Sequence, residues 1–270
     1  MALILTLVVT IAAFSVLWAL HLPTKNAGVV DTYWGAGFVV IGTIYALRAD
    51  QLSFLQFVFL GMVVIWALRL SVYLIRRFAT HSNEDPRYGA MRARGGTSFW
   101  WTSLPMIFIL QALVLWVIAT PLHTALTLPV NGSGSRLLLG TGLVLFWVGL
   151  TIESVADHQL ARFKSANPAP GQVLRSGMWE WSRHPNYFGE ALIWWGLGLF
   201  ALALTGALIS LLGPLVLTFV LVGITGRLTD DHMQNARATA FSKYKQETSG
   251  FVPLPPSFYQ KITKKSRPVS

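Results

Sequence analysis

Seven stretches of this 270-residue chain are each apolar for about the length that a bilayer core demands, and no other feature narrows the fold as far. They run approximately over 2–20, 28–47, 54–75, 99–120, 136–155, 187–204 and 207–225. Hydrocarbon offers no partner to backbone N–H and C=O groups, so segments of this length pair them internally as helices. The expectation is an all-α, polytopic integral membrane protein with seven transmembrane helices. Charged residues make up only 12% of the chain, against about 25% in a soluble domain, which excludes a large soluble core. The first stretch has no basic leader and no small-residue cleavage site, so it reads as a retained span. Only Thr205 and Gly206 separate the last two stretches, which predicts a tight helical hairpin. One membrane domain is expected over 1–256, followed by a basic, mobile tail over 257–270.

Charge sets the orientation. With the N-terminus outside, only Arg48 and Arg136 fall on the outer side and Arg69 lies within the third span. Every other Lys and Arg falls inside, which puts the C-terminus in the cytosol. The net charge of +10 is thereby explained by one membrane face, and nucleic acid is not an expected partner. The absence of Cys excludes disulfides, zinc–thiolate sites and thiol nucleophiles.

An ionisable side chain within a span is costly and marks a candidate site. Asp31, Arg69, Glu153 and Glu190 are such residues, all toward the inner half, and the three acids offer partners to Arg69. Glu153 and Asp157 stand at i, i+4, with Arg162 and Lys164 following. The segment "HSNEDPRYGAMRARGG" adds acids, arginines and Tyr88. In "SRHPNYFGEALIWW", Pro185 suits the first turn of a helix that Ser182 or His184 would cap. Arg183, Asn186, Tyr187 and Glu190 then form one polar face, where a helix N-terminus beside an arginine suits a phosphate or carboxylate. The six histidines (His21, His81, His123, His158, His184 and His232) show no metal-ligand spacing, so no metal is expected. Nor is there a G-x-G-x-x-G fingerprint, so any nucleotide must be held by helices and inner loops.

"GMWEWSRHPNYFGEALIWWG", with "ESVADHQLARFK" before it and "FSKYKQETSGFVPLPP" after it, resembles the steroid 5-alpha-reductase family, and in particular its bacterial membrane members. These enzymes are also called 3-oxo-5-alpha-steroid 4-dehydrogenases. The resemblance implies seven membrane helices and NADPH-dependent reduction of a C=C bond conjugated to a ketone. It is specific over about 150–256, looser in spans two and three, and absent in span one. It implies cofactor-binding roles for Asn186, Glu190, Asp157 and Lys164, for Glu153 where the steroid reductases have asparagine, and for Tyr244 within the tail pattern of Phe241, Tyr244 and Pro253. Tyr187 belongs to the same face, His232 is expected near the adenosine end, and Arg94, Arg175, Arg183 and Lys164 near the phosphates.

The family's proton-donating glutamate in span two and tyrosine in span three are not matched. Span two offers Asp31 and Tyr33, and a register that matches Arg69 puts Trp66 where the tyrosine belongs. Asp31, Tyr33 and Arg69 are therefore the catalytic candidates. The implied substrate is a 3-oxo-Δ4 steroid or similar apolar enone, entering a monomer from the lipids of a bacterial inner membrane, with the cofactor on the cytosolic side. Arg-His-Pro followed by an aromatic residue and Gly also resembles isoprenylcysteine and phospholipid methyltransferases, which bind S-adenosylmethionine. The number of spans, the Glu153/Asp157 helix and the tail pattern favour the reductase. A non-enzymatic transporter or lipid-binding protein ranks last, because the outer half carries almost no polar groups.

Overall fold

The computed structural model describes residues 1–80, 84–130, 135–169 and 171–265, with side chains as far as Ile262. His81 and residues 266–270 lie outside the described residues. Among the described residues, seven helices are long and apolar enough to cross a membrane: α1 (Ala2–Thr24), α2 (Ala27–Arg48), α3 (Phe54–Thr80), α4 (Pro86–Ile118), α6 (Arg136–Ser165), α8 (Pro185–Thr205) and α9 (Leu208–Ala236). Between and after them come α5 (Thr120–Thr127), α7 (Met178–Trp181), α10 (Ala238–Glu247) and α11 (Pro256–Lys265). Leu47, Phe54, Leu137 and Leu208 are more than 70% exposed, which suits side chains meeting lipid rather than water.

Three spans differ from the sequence-based bounds by ten residues or more, the fifth by continuing past 155 to Ser165. The fourth helix begins at Pro86, not near 99, because its first turns, "PRYGAMRARG", are polar and basic. Asp85 caps that start, its side chain accepting from the Arg87 N–H, and Pro86 occupies the first helical position. The seventh helix continues past 225 to Ala236, again through polar residues that hydropathy does not count. Within α4, Leu104–Ile109 is a π-helical segment containing Pro105, whose missing N–H lets the hydrogen-bond register slip. The first part of the basic tail forms helix α11.

By internal contacts the chain divides into two compact units, Met1–Leu139 with Leu197–Gly213, and Gly140–Gly196 with Pro214–Ser270. In the first unit, α2 and α3 approach closely at Gly35, where a Cβ would lie 2.5 Å from the Ala67 carbonyl oxygen. Phe38, Ile41, Phe59, Trp66, Leu115 and Phe200 form its buried core. Thr6, Tyr45, Trp116 and His123 make a closed polar network inside it. The Tyr45 hydroxyl meets Thr6 Oγ1 at 3.0 Å and His123 Nδ1 at 2.7 Å. His123 Nε2 faces the Trp116 carbonyl at 2.9 Å, and Trp116 Nε1 donates to Thr6. His123 lies outside the seven spans, and burial lowers its pKa to about 4 against the opposing hydrogen bond to Trp116.

In the second unit, α6 and α8 pack through glycine. A Cβ on Gly189 would meet the Glu153 nitrogen at 2.6 Å, and one on Gly149 would meet the Gly189 carbonyl at 2.6 Å. Two turns further along, a Cβ on Gly196 would meet the Gly142 carbonyl at 2.6 Å. Small residues at these positions let the two backbones touch, the usual means by which apolar helices associate in lipid.

Candidate functional site

The glycine contact brings two i, i+4 pairs to one place. Glu153 and Asp157 project from α6 and are buried, at 3% and 4% exposure, far too deep for carboxylates without a task or partners. Asn186 and Glu190 project from the opening turns of α8. Asn186 Nδ2 donates to Asp157 Oδ1 at 3.1 Å, which ties the two helices together at their polar end.

The loop leading into α8 is folded back onto α6. Gly177 turns it with a positive φ of 64°, a conformation in which a Cβ would also strike the Gln159 side chain. Gln159 accepts from the Met178 N–H, and Trp179 Nε1 donates to the Ala156 carbonyl at 3.0 Å. Pro185 is the first residue of α8, and Ser182 Oγ accepts from the His184 N–H just before it. Ser182 also pairs with Ser249 as an isolated parallel bridge, with the Arg183 N–H donating to the Ser249 carbonyl at 2.8 Å.

Arg183 does not take its expected place on the α8 polar face. It precedes the helix, is 9% exposed, and turns its guanidinium toward Asp230 of α9 at 2.8 Å and the Thr248 carbonyl at 2.7 Å. His184 meets the same carboxylate at 3.0 Å and stacks on the Tyr187 ring, with centroids 5.2 Å apart. Tyr244 donates to the carbonyls of Trp179 and Ser182, and burial pushes its hydroxyl pKa well up. Arg175 pairs with Glu247 and lies over the Tyr244 ring. The physical sense of the Arg-His-Pro motif is thus positional: Arg183, His184 and Tyr244 clamp the start of α8 to α9, α10 and the 248–251 segment. Lys164 and His232 are exposed on the same unit.

The first unit holds a separate cluster. Tyr88 of α4 is buried, and its hydroxyl donates to Asp31 Oδ1 at 2.8 Å while accepting from Gln111 Nε2 at 3.2 Å. Trp34 Nε1 in turn donates to Gln111 Oε1 at 2.8 Å, and Arg87 faces the other Asp31 oxygen at 3.5 Å. Asp31 is therefore paired with Arg87, where the sequence had offered it Arg69; the Arg69 guanidinium lies over the Tyr73 ring, 5.6 Å from its centroid. Tyr33 is half-buried, edge-on to Phe14 at 5.5 Å. Arg94 is exposed on α4. Tyr88, Gln111 and Asp230 are the functional candidates that sequence reasoning missed. For Tyr88 the only signal was its place in an acid- and arginine-rich segment.

A family described as a protein of unknown function (DUF1295) matches residues 17–248, most of the chain. The chain belongs to this family, which is steroid 5-alpha-reductase-like. Among the relatives of this chain, one from Schizosaccharomyces pombe, described as uncharacterized, is 26% identical over 88% of this chain and 76% of its own length. The mouse 3-oxo-5-alpha-steroid 4-dehydrogenase 1 is 32% identical over 26% of this chain and 28% of its own. The steroid 5-alpha-reductase DET2 of Arabidopsis thaliana is 40% identical over 20% of this chain and 21% of its own. The likeness to the steroid enzymes thus spans about a third of their length or less. Among the described residues, no group of three or more His, Asp or Glu stands close enough to hold a metal ion.

Proposed function

We propose that this chain is an NADPH-dependent reductase that saturates a carbon–carbon double bond conjugated to a ketone in an apolar, steroid-like substrate. The observation that carries this reading is the Asn186–Asp157 hydrogen bond at 3.1 Å, with Glu153 and Glu190 one turn away on the same two helices. Carboxylates and an amide grouped in this way suit a nicotinamide nucleotide, whose carboxamide and ribose hydroxyls need acceptors as well as donors. Exposed Arg162, Lys164, Arg227 and Lys243 on the same unit suit its phosphates. These residues fit NADPH, which when bound would supply the hydride. Membership of a steroid 5-alpha-reductase-like family supports the same reading, as do the names of the mouse and Arabidopsis relatives. The protein works as a monomer in the membrane, with its basic face and cofactor toward the cytosol and the substrate arriving through the bilayer.

Hydride addition at the β-carbon drives negative charge onto the ketone oxygen, and a hydrogen-bond donor must meet it there. We assign that role to Tyr88. Its hydroxyl is oriented by Gln111 and Asp31, and its O–H can rotate from Asp31 to a carbonyl oxygen. The Tyr88 proton passes to that oxygen to give the enol; as the ketone re-forms, this proton returns to Tyr88 and water supplies the proton taken up by the α-carbon.

The test is binding of NADPH and of S-adenosylmethionine to the detergent-purified protein, wild type against Asn186→Ala. NADPH is expected to bind the wild type and to bind the variant roughly tenfold more weakly, the worth of one charge-assisted hydrogen bond. Binding of S-adenosylmethionine alone would turn the same residues over to a methyltransferase. For Tyr88→Phe, NADPH affinity should hold while turnover of a 3-oxo-Δ4 steroid falls by about 100-fold or more. Unchanged turnover would remove Tyr88 from the mechanism.

A further inference from the structure

We infer that a cavity at the opposite end of α2 from Asp31 binds the headgroup of a phospholipid carrying both a phosphate and a primary amine, as in phosphatidylethanolamine. The cavity holds about 550 Å³ and is lined by Tyr45, Arg48, Asp50, Gln51, Ser53 and Gln56, with the 126–130 segment closing one side. That volume is ordinary for a small-molecule pocket. At 1.5 Å per helical residue, Arg48 stands roughly 25 Å along α2 from Asp31, so this is a separate place from the Tyr88 cluster. It does not depend on the reductase reading.

The floor of the cavity is already built. Tyr45 is held by Thr6 and His123. Gln56 Nε2 donates to the Ala125 carbonyl at 2.8 Å, and its Oε1 accepts from the Ser53 N–H at 2.9 Å and from Ser53 Oγ at 3.0 Å. With these groups satisfied from within, the side chains left to meet a ligand are at the rim. Arg48 and Asp50 are exposed, opposite in sign and two positions apart in the chain, and among the described residues neither is in an ion pair.

The surroundings select an amphipath. Leu47, Phe54 and Phe57 beside the cavity are 82%, 78% and 59% exposed, on ends of helices suited to cross a membrane. Acyl chains lie along such surfaces while the headgroup reaches the polar mouth. A purely anionic headgroup would be drawn to Arg48 but repelled by Asp50, and a simple cation the reverse. A headgroup with both charges satisfies both side chains. The primary ammonium donates hydrogen bonds to a carboxylate, which a choline group cannot do.

The experiment uses the full chain, reconstituted in an equal mixture of phosphatidylethanolamine, phosphatidylcholine and phosphatidylglycerol. The protein is then extracted in mild detergent, and the lipids it retains are identified by native mass spectrometry. Phosphatidylethanolamine should be retained over each of the others by roughly tenfold, the worth of one charge-assisted hydrogen bond. Arg48→Gln and Asp50→Asn should each abolish that preference, and Arg136→Gln, an exposed arginine outside the cavity, should keep it. Both rim side chains are exposed and in no ion pair among the described residues, so the variants should fold, which unchanged melting would verify. Equal retention of the three lipids, a preference for phosphatidylglycerol, or a phosphatidylethanolamine preference that survives both substitutions would overturn the assignment.

Discussion

Replacing Gly189 by alanine adds one methyl group where α6 and α8 touch. The added Cβ would sit 2.6 Å from the Glu153 nitrogen, 2.7 Å from the Gly149 carbonyl oxygen and 2.9 Å from the Glu153 Cβ. Ordinary contact begins near 3.4 Å, so the helices must separate by several tenths of an ångström, and two of the three obstructing atoms are backbone that cannot swing aside. Overpacking of this kind costs about 1–3 kcal/mol. The better helix propensity of alanine returns about 1 kcal/mol, leaving a net loss of up to about 2 kcal/mol. Gly61→Ala is the matched control, because nothing lies within 4 Å of a Cβ there and only the propensity gain remains. Thermal melting in detergent should therefore move in opposite directions for the two variants. The separation also stretches the Asn186–Asp157 hydrogen bond from 3.1 Å, so NADPH affinity should fall in Gly189→Ala and hold in Gly61→Ala. Equal melting temperatures and equal affinities would refute the glycine contact as the device that sets the site.

Two further outcomes follow from buried charge. Asp230→Ala leaves the Arg183 guanidinium 9% exposed without its carboxylate, which should cost about 3–5 kcal/mol and lower the melting temperature sharply. His123 supplies a pH dependence. Its pKa of about 4 in the fold lies below the ordinary 6.5, so the unfolded chain binds the extra proton between these values. Stability is then full above pH 6.5 and is lost as pH falls toward 4, by up to about 3 kcal/mol. Melting curves over pH 4–7 should show this slope. It should flatten in His123→Gln.

The helices, their number and the apolar surface they present were legible in the sequence, because a bilayer selects segment by segment and asks only for length and composition. The ends were less so. Pro86–Gly95 and Gly226–Ala236 are polar helix extensions, and hydropathy is silent about polar residues that stay helical. Asn186 and Asp157 were legible as candidates because each has a second polar group one helical turn away on its own helix. The fit of those two helices was not, since it rests on Gly149 and Gly189 being opposite each other.

Composition and span pattern by themselves determined that this chain is a seven-helix membrane protein with its charges gathered at helix ends. Which polar groups meet was left to the tertiary structure. Arg183 reads on paper as a phosphate ligand at a helix mouth, yet it is committed to Asp230, 47 residues away. Asp31 reads as a partner for Arg69 in the next span, yet it is held by Tyr88, 57 residues away on α4. An unpaired charge in a dry interior is so costly that each must find a partner. Identity of that partner depends on helix rotation and approach, which the glycines and cores of each unit set.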